Sequence, residues 1–404
     1  KAKFKYEKRE NTDDIEIARE LLQKALVLDP EMFAAKNLRG TTFLETGDYE
    51  KAMSIYKDNL ESAESQNNET YIAISLTNIG TIYQFKGDYL ESIYNYLRSY
   101  NIQSNLGDQF GMSNTLGNMG VIYRSRGEHD KALKQFSKCL EIQEQLDNKH
   151  SMAITLNNIA NIHLVRAQYE EALNMYNQSL DISKEIGDKH IMSILKENIA
   201  MIYIELGEYN KSLENHLTAL KLQEALGDQR AISSTLNNLG ITYHYMGNYE
   251  KALDYYRKAK KLRIKIEDKR GLAHSLFLIG VVHENLNQLN KAKEFLEESL
   301  DIQKEIGIKK GNLILETRIY LQLIMKRSGI PLNKEIILKL LEETDSVDFV
   351  VNFRLYHLFE KKSYLESAYN GIKNITDKLS TPDEFLHLSL PKSIVNEWKR
   401  INPS

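Results

Sequence analysis

Five asparagines stand 40 residues apart in the chain: Asn78, Asn118, Asn158, Asn198 and Asn238. A side-chain amide donates and accepts at once, so a row of them can satisfy the N–H and C=O groups of an extended peptide without reading its side chains. Asn is a mediocre helix former because its amide competes with the backbone, so its regular return within helical sequence asks for a reason. The alternative is that each amide bonds within its own helix pair and sets only the packing geometry. Other chemistry is thin. Cys139 is the only cysteine, and equivalent positions carry Asn59, Ser99, Ser179, Ala219, Ala259 and Ser299, which reads as a packing position rather than a nucleophile. One Cys cannot build a zinc cluster, and no His-Glu-x-x-His occurs. No Gly-rich phosphate loop follows a strand pattern. The ten His share no constellation. The sequence therefore assigns no catalytic residue, no metal and no cofactor.

The elements that carry the asparagines are themselves periodic. Small residues recur at Gly40, Gly80, Gly120, Ala160, Ala200, Gly240 and Gly280, and again at Gly47, Gly87, Gly127, Ala167, Gly207 and Gly247. A third small series runs Ala52, Ser92, Ala132, Ala172, Ser212, Ala252, Ala292, and an aromatic one runs Tyr49, Tyr89, His129, Tyr169, Tyr209, Tyr249. Chance does not keep four registers through seven units. Each unit reads as two helices: Met152 to Val165 at helical apolar spacing, a turn at Ala167-Gln168-Tyr169, then Glu171 to Ile186. Gly187 can take positive φ at the helix end, and Asp188 can cap the next helix. The same turn recurs as Gly107-Asp108, Asp147-Asn148, Gly227-Asp228 and Glu267-Asp268. A mid-helix Gly costs about 1 kcal/mol against Ala. Its repetition implies close approach between helices, which any larger side chain would block.

The run Leu236-Asn237-Asn238-Leu239-Gly240-Ile241-Thr242-Tyr243, followed by Gly247-Asn248-Tyr249-Glu250-Lys251-Ala252 and Tyr256, resembles a tetratricopeptide repeat. Numbered from Ser233, small residues fall at repeat positions 8, 20 and 27 and aromatics at 11, 17 and 24, as in that family. The resemblance covers residues 1 to about 328. It implies an all-α fold, a right-handed superhelical solenoid of antiparallel helix pairs. The period departs from the family's 34 residues, and the extra length is expected in the second helix of each unit. This longer form is similar to that of spindle-orientation adaptors, kinesin light chains and bacterial peptide-sensing regulators. The expected organisation is a truncated repeat over 1–32, seven units over 33–312, and a divergent helical repeat and cap over 313–404. In that cap, Leu386, Leu388, Leu390, Ile394, Val395 and Trp398 are expected to cover the last exposed face.

In the family, Asn at repeat position 6 commonly holds a bound peptide's backbone. The resemblance carries that role onto Asn78, Asn118, Asn158, Asn198 and Asn238, on the inner wall of a concave groove. Asn157 and Asn237 beside them, and Arg124, Asn161 and Tyr245 at the groove positions that vary, complete the candidate site. First helices about 8–10 Å apart match roughly three residues of extended chain each, so five rungs would track a segment of about eleven. Composition narrows the partner. Fifty-three basic against 56 acidic residues give a net charge of −3, which argues against a nucleic-acid groove. No apolar run suits a bilayer. The five Pro leave none between Pro30 and Pro331, which suits long helices. One Cys is compatible with a reducing, cytoplasmic setting.

The expected function is thus a non-enzymatic module that binds a protein or peptide partner, with self-association or service as the regulatory part of an absent kinase or nucleotide cyclase as alternatives. The opening Lys1-Ala2-Lys3-Phe4-Lys5-Tyr6, which starts without Met, and the closing Leu388 to Val395 are similar to junctions and tails of bacterial proteins that join such domains to repeats. They suggest a piece of a longer signalling protein.

Overall fold

The structure, a computed structural model, describes residues 12–344, 347–377 and 389–402. The opening Lys1–Tyr6, Leu386 and Leu388 lie outside the described residues, and so does the Leu390 side chain. Among the described residues the only regular elements are helices. They form two compact units, residues 1–162 and 163–404.

The first unit contains α1 (Thr12–Leu28), α2 (Phe33–Glu45), α3 (Tyr49–Ser65), α4 (Glu69–Lys86), α5 (Tyr89–Leu106), α6 (Gln109–Ser125), α7 (His129–Gln145) and most of α8 (Lys149–Val165). Consecutive helices pack on one another as pairs. The 40-residue period does not lengthen the second helix alone. In the unit of α6 and α7 both helices run 17 residues, because the first begins at Gln109, several positions before the expected start. Side-chain caps explain that earlier start: Asp108 accepts from the Gly111 N–H at 2.9 Å and Asn148 from Ser151 at 3.2 Å. The turns behave as the sequence implies. Gly87, Gly107 and Gly127 take positive φ, and Asn67 and Asp147 adopt the same conformation without being glycine.

Three mid-helix glycines of this unit are seats for aromatic rings. A Cβ on Gly40 would lie 2.5 Å from the Tyr56 ring, one on Gly80 2.8 Å from Tyr96, and one on Gly120 2.6 Å from Phe136. The ring comes from the second helix of the same pair, 16 residues on, and all three rings are buried. Where a hydroxyl is present it finds partners on the first helix. Tyr56 Oη meets Thr41 at 3.0 Å, while Tyr96 Oη meets Thr81 at 2.9 Å and donates to Gln84 at 3.1 Å.

A second recurring contact joins one pair to the next. Thr115 Oγ1 donates to Gln103 Oε1 at 2.9 Å, and Thr155 to Gln143 at the same distance, all four residues being buried. The Gln sits near the end of a second helix and the Thr within the next first helix, 12 residues on. Cys139 lies beside this contact, donating to the Ser113 carbonyl and accepting from Gln143. Burial pushes its thiol up, so the packing reading holds.

The second unit contains the end of α8, then α9 (Tyr169–Glu185), α10 (Lys189–Glu205), α11 (Tyr209–Leu226), α12 (Gln229–Tyr245), α13 (Tyr249–Lys265), α14 (Lys269–Asn285) and α15 (Leu289–Glu305). The same joints recur. Thr235 donates to Gln223 at 2.7 Å, and Gln303 donates to Thr317 at 3.1 Å. At one joint Arg263 replaces Gln, donating to Ser275 at 2.8 Å and to the Gly271 carbonyl at 2.6 Å. A Cβ on Gly271 would lie 2.6 Å from that guanidinium.

Beyond Glu305 the period breaks into α16 (Asn312–Arg327), the short α17 (Lys334–Glu342), the pair α18 (Phe349–Phe359) and α19 (Lys362–Thr376), and α20 (Ser389–Ile401). Ile394, Val395 and Trp398 of α20 pack with Phe353, Leu365, Ala368 and Ile372 of that last pair, and Trp398 stacks on Tyr369 at 4.9 Å. The tail thus buries apolar residues of α18 and α19 that would otherwise meet water.

Candidate functional site

The asparagine series occupies one register on the first helices, and each member is half-buried. The two whose bonds are resolved reach sideways, to the first helix of the preceding pair. Asn78 Nδ2 donates to Asn37 Oδ1 at 2.6 Å, and Asn238 Nδ2 donates to Glu197 Oε2 at 3.3 Å. The acceptor stands 41 residues earlier in both cases. The amide therefore stitches neighbouring pairs, which sequence spacing alone did not indicate. One N–H is spent in this way, and the amide can still offer its second N–H and its carbonyl oxygen.

The other candidates divide. Asn157, Asn161 and Arg124 are half-buried on α8 and α6. Asn237 is 1% exposed, and its Oδ1 accepts from Ser275 at 3.1 Å. It is a packing residue that presents nothing to a ligand. Glu197, the acceptor for Asn238, also lies against the Thr235 hydroxyl.

Tyr245, the last residue of α12, is 48% exposed and stacks on Tyr209 with ring centres 6.3 Å apart. Phe85 at the end of α4 stacks on Tyr49 in the same way. Tyr245 opens onto a cavity of about 540 Å³ within the second unit. The apolar wall comes from α12 and α14, through Ile241, Phe277, Leu278 and Val281. Tyr249 and Tyr256 of α13 line it too, with Glu316 and Tyr320 of α16 and Val350 and Arg354 of α18. The irregular end of the chain thus closes the side of the cavity that the periodic helices leave open.

Four features set the cavity's chemistry. Asn285 Nδ2 donates to His244 Nε2 at 2.8 Å, which fixes a neutral imidazole, and burial followed by the Arg354 charge takes its pKa down to about 4. Glu316 is pushed up to about 7, mainly by burial and then by the Asp348 charge. The Arg354 guanidinium lies 4.9 Å over the Tyr320 ring. Its nearest carboxylate, Glu284, is 3.9 Å away and is held at 2.6 Å by Arg327 instead. Arg354 Nε is buried without a hydrogen-bond partner among the described residues.

The fourth is Tyr256, fully buried on Gly240, whose hydroxyl has no hydrogen-bond partner among the described residues. The repeat explains why. The Thr and Gln that serve Tyr96 are replaced at the equivalent positions by Ile241, which cannot bond, and by His244, whose Nε2 is occupied by Asn285. That substitution is visible in sequence once the hydroxyl's partners are known. Arg354 carries no repeat signature and could not have been singled out. Among the described residues no group of three or more His, Cys, Asp or Glu could hold a metal ion, and no helix is long and apolar enough to cross a membrane.

A family model for the tetratricopeptide repeat matches residues 31–105, 111–185, 191–265 and 232–305. No curated protein matches the chain. Several solved structures share its fold. A signal-transduction ATPase with numerous domains and a tetratricopeptide repeat sensor, from Pyrococcus horikoshii, is similar with a TM-score of 0.61 and 17% identity over 99% of this chain and 53% of that one. The chain thus spans about half the length of that ATPase. Aspartyl phosphate phosphatase F from Bacillus subtilis gives 0.56 and 14% over 93% and 94% of the two chains. A Rap protein complexed with competence and sporulation factor gives 0.55 and 13% over 92% and 98%.

Proposed function

The chain belongs to the tetratricopeptide repeat family, whose members generally serve protein–protein interaction without catalysis, and from that premise we propose that each unit grips an extended segment of a partner protein along its own first helices. The carrying observation is the half-buried amide at one register of successive first helices, Asn78, Asn118 and Asn158 in the first unit and Asn198 and Asn238 in the second. An amide already fixed by one lateral bond, as Asn78 is to Asn37, has lost its rotamer freedom before a ligand arrives, which lowers the entropic cost of binding. Half-buried Arg124 and Asn161 and the exposed Tyr245 and Phe85 would then discriminate among partners. A role in signalling, as the part that positions or regulates an attached domain, agrees with the company the fold keeps in the ATPase sensor and the Rap protein.

The test is a displayed library of random twelve-residue peptides panned against the chain and against the Asn118→Ala/Asn158→Ala variant. Wild type should enrich binders, and the variant should hold them about tenfold more weakly with unchanged helical content. Equal affinity for the two proteins refutes the amide reading. A second reading rests on α5, where exposed Leu90, Tyr94 and Leu97 share one face. Such a stripe favours self-association, and light scattering across a concentration series separates the two.

A further inference from the structure

We propose that the cavity of the second unit is a separate ligand site for a carboxylate attached to a large apolar or aromatic body, seated by the Tyr256 hydroxyl and the Arg354 guanidinium. This goes beyond the peptide-backbone reading, because neither residue belongs to the asparagine register.

Two buried donor atoms on residues lining one cavity, the Tyr256 hydroxyl and Arg354 Nε, have no hydrogen-bond partner among the described residues, while the rest of the guanidinium leans on Tyr320 and Glu284. A buried polar group without a partner is costly, and native structures keep few of them. The Tyr256 hydroxyl is positioned towards the cavity because the equivalent hydroxyl of Tyr96 ends at the positions here occupied by Ile241 and His244, both cavity-lining. Arg354 brings a cation whose carboxylate neighbour is committed to Arg327. The Nε of that cation and the Tyr256 hydroxyl are still open to an acceptor, and an anionic one satisfies a guanidinium N–H better than a neutral one. Around the two donors the wall is Ile241, Phe277, Leu278 and Val281, with the Tyr245 and Tyr320 rings. A volume of about 540 Å³ falls in the range of small-molecule sites. A planar carboxylate on an aromatic or branched body fits both halves. Phosphate fits the donors but wastes the apolar wall.

Two sources carry this chemistry: the C-terminal residue of a peptide, or a free small acid. Isothermal titration of the whole chain with 3-phenylpropionate and with 3-phenylpropionamide tests the shared chemistry. The acid should bind and the amide should bind at least about tenfold more weakly. A decapeptide ending in Phe, with a free or an amidated terminus, distinguishes the sources. Tighter binding of the free-terminus peptide than of the small acid marks a peptide end as the occupant, and the reverse order marks a free acid. Tyr256→Phe should weaken the acid about tenfold without lowering the melting temperature, since the hydroxyl has no bond to lose. Arg354→Met should abolish binding, with Tyr256→Phe carrying the test if that protein fails to fold. The proposal is overturned if acid and amide bind alike, if neither binds the folded chain at millimolar concentration, or if Tyr256→Phe leaves the acid's affinity unchanged.

Discussion

Leucine in place of Gly120 sets the packing argument its hardest test. A Cβ there would lie 2.6 Å from Phe136 Cε1 and 2.8 Å from two further ring atoms. Ordinary contact begins at 3.4 Å, so a methyl alone drives the ring back by about 0.8 Å, from 3.4 less 2.6. The ring is 1% exposed and has no free space to enter. Leu adds three carbons beyond that methyl. Overpacking of this kind costs up to about 3 kcal/mol, and replacing a helical Gly returns about 1 kcal/mol, which leaves a net loss near 2 kcal/mol. Phe136→Ala alone should cost about 3–5 kcal/mol by opening a cavity. Combined, the two changes partly cancel, because the leucine enters the space the ring vacates. Urea unfolding followed by helical ellipticity, run on all four proteins of the cycle, should give a coupling of at least about 1 kcal/mol. An unchanged midpoint for Gly120→Leu, or losses that simply add, would refute the claim that this glycine exists to seat that ring.

Three further outcomes follow from the same contacts. Thr155→Val leaves Gln143 Oε1 buried without its donor and should cost about 1–3 kcal/mol in urea unfolding, most of it recovered in the Gln143→Met/Thr155→Val double variant. Ala167 holds φ at 54°, so Ala167→Gly should stabilise by about 0.5–1 kcal/mol despite the looser unfolded chain, while Gly247→Ala should destabilise. Glu316 titrates near 7 when folded against an ordinary 4.5, so folding favours its protonated form. Its contribution is complete below about pH 4.5 and lost as pH rises through 7; the loss is on the order of 3 kcal/mol, and Glu316→Gln should flatten stability between pH 5 and 8.

The repeat register, the caps and the left-handed turn residues were legible because each is a local device of a few residues. Gly187 and Asp188 could be assigned from their order alone, and Asp188 does accept from the Ile191 N–H. Boundaries were less legible. The extra residues of the long period lengthen the first helix as well as the second, since nothing in an amphipathic run marks its start except the cap. The Gln143–Thr155 contact has no sequence signature of its own because it crosses a turn, where neither helical nor strand periodicity applies. The groove register of Asn78 follows from its spacing, whereas its bond to Asn37 depends on how two first helices lie side by side. The cavity was beyond sequence reading, because Tyr256 and Arg354 are brought together by elements of different character. Only Tyr245 among the predicted residues lines it.

The joint at Arg263 bears on how such an array can be rearranged. Gly271 leaves room for the guanidinium, whereas the preceding pair carries Ala231 at that point, opposite the slimmer Gln223. Moving the cassette that begins at Gln229 to follow Arg263 would press a methyl into the arginine. At this joint the two pairs are therefore matched partners, and a duplication or swap by whole periods across it succeeds only where the arginine and its glycine travel together.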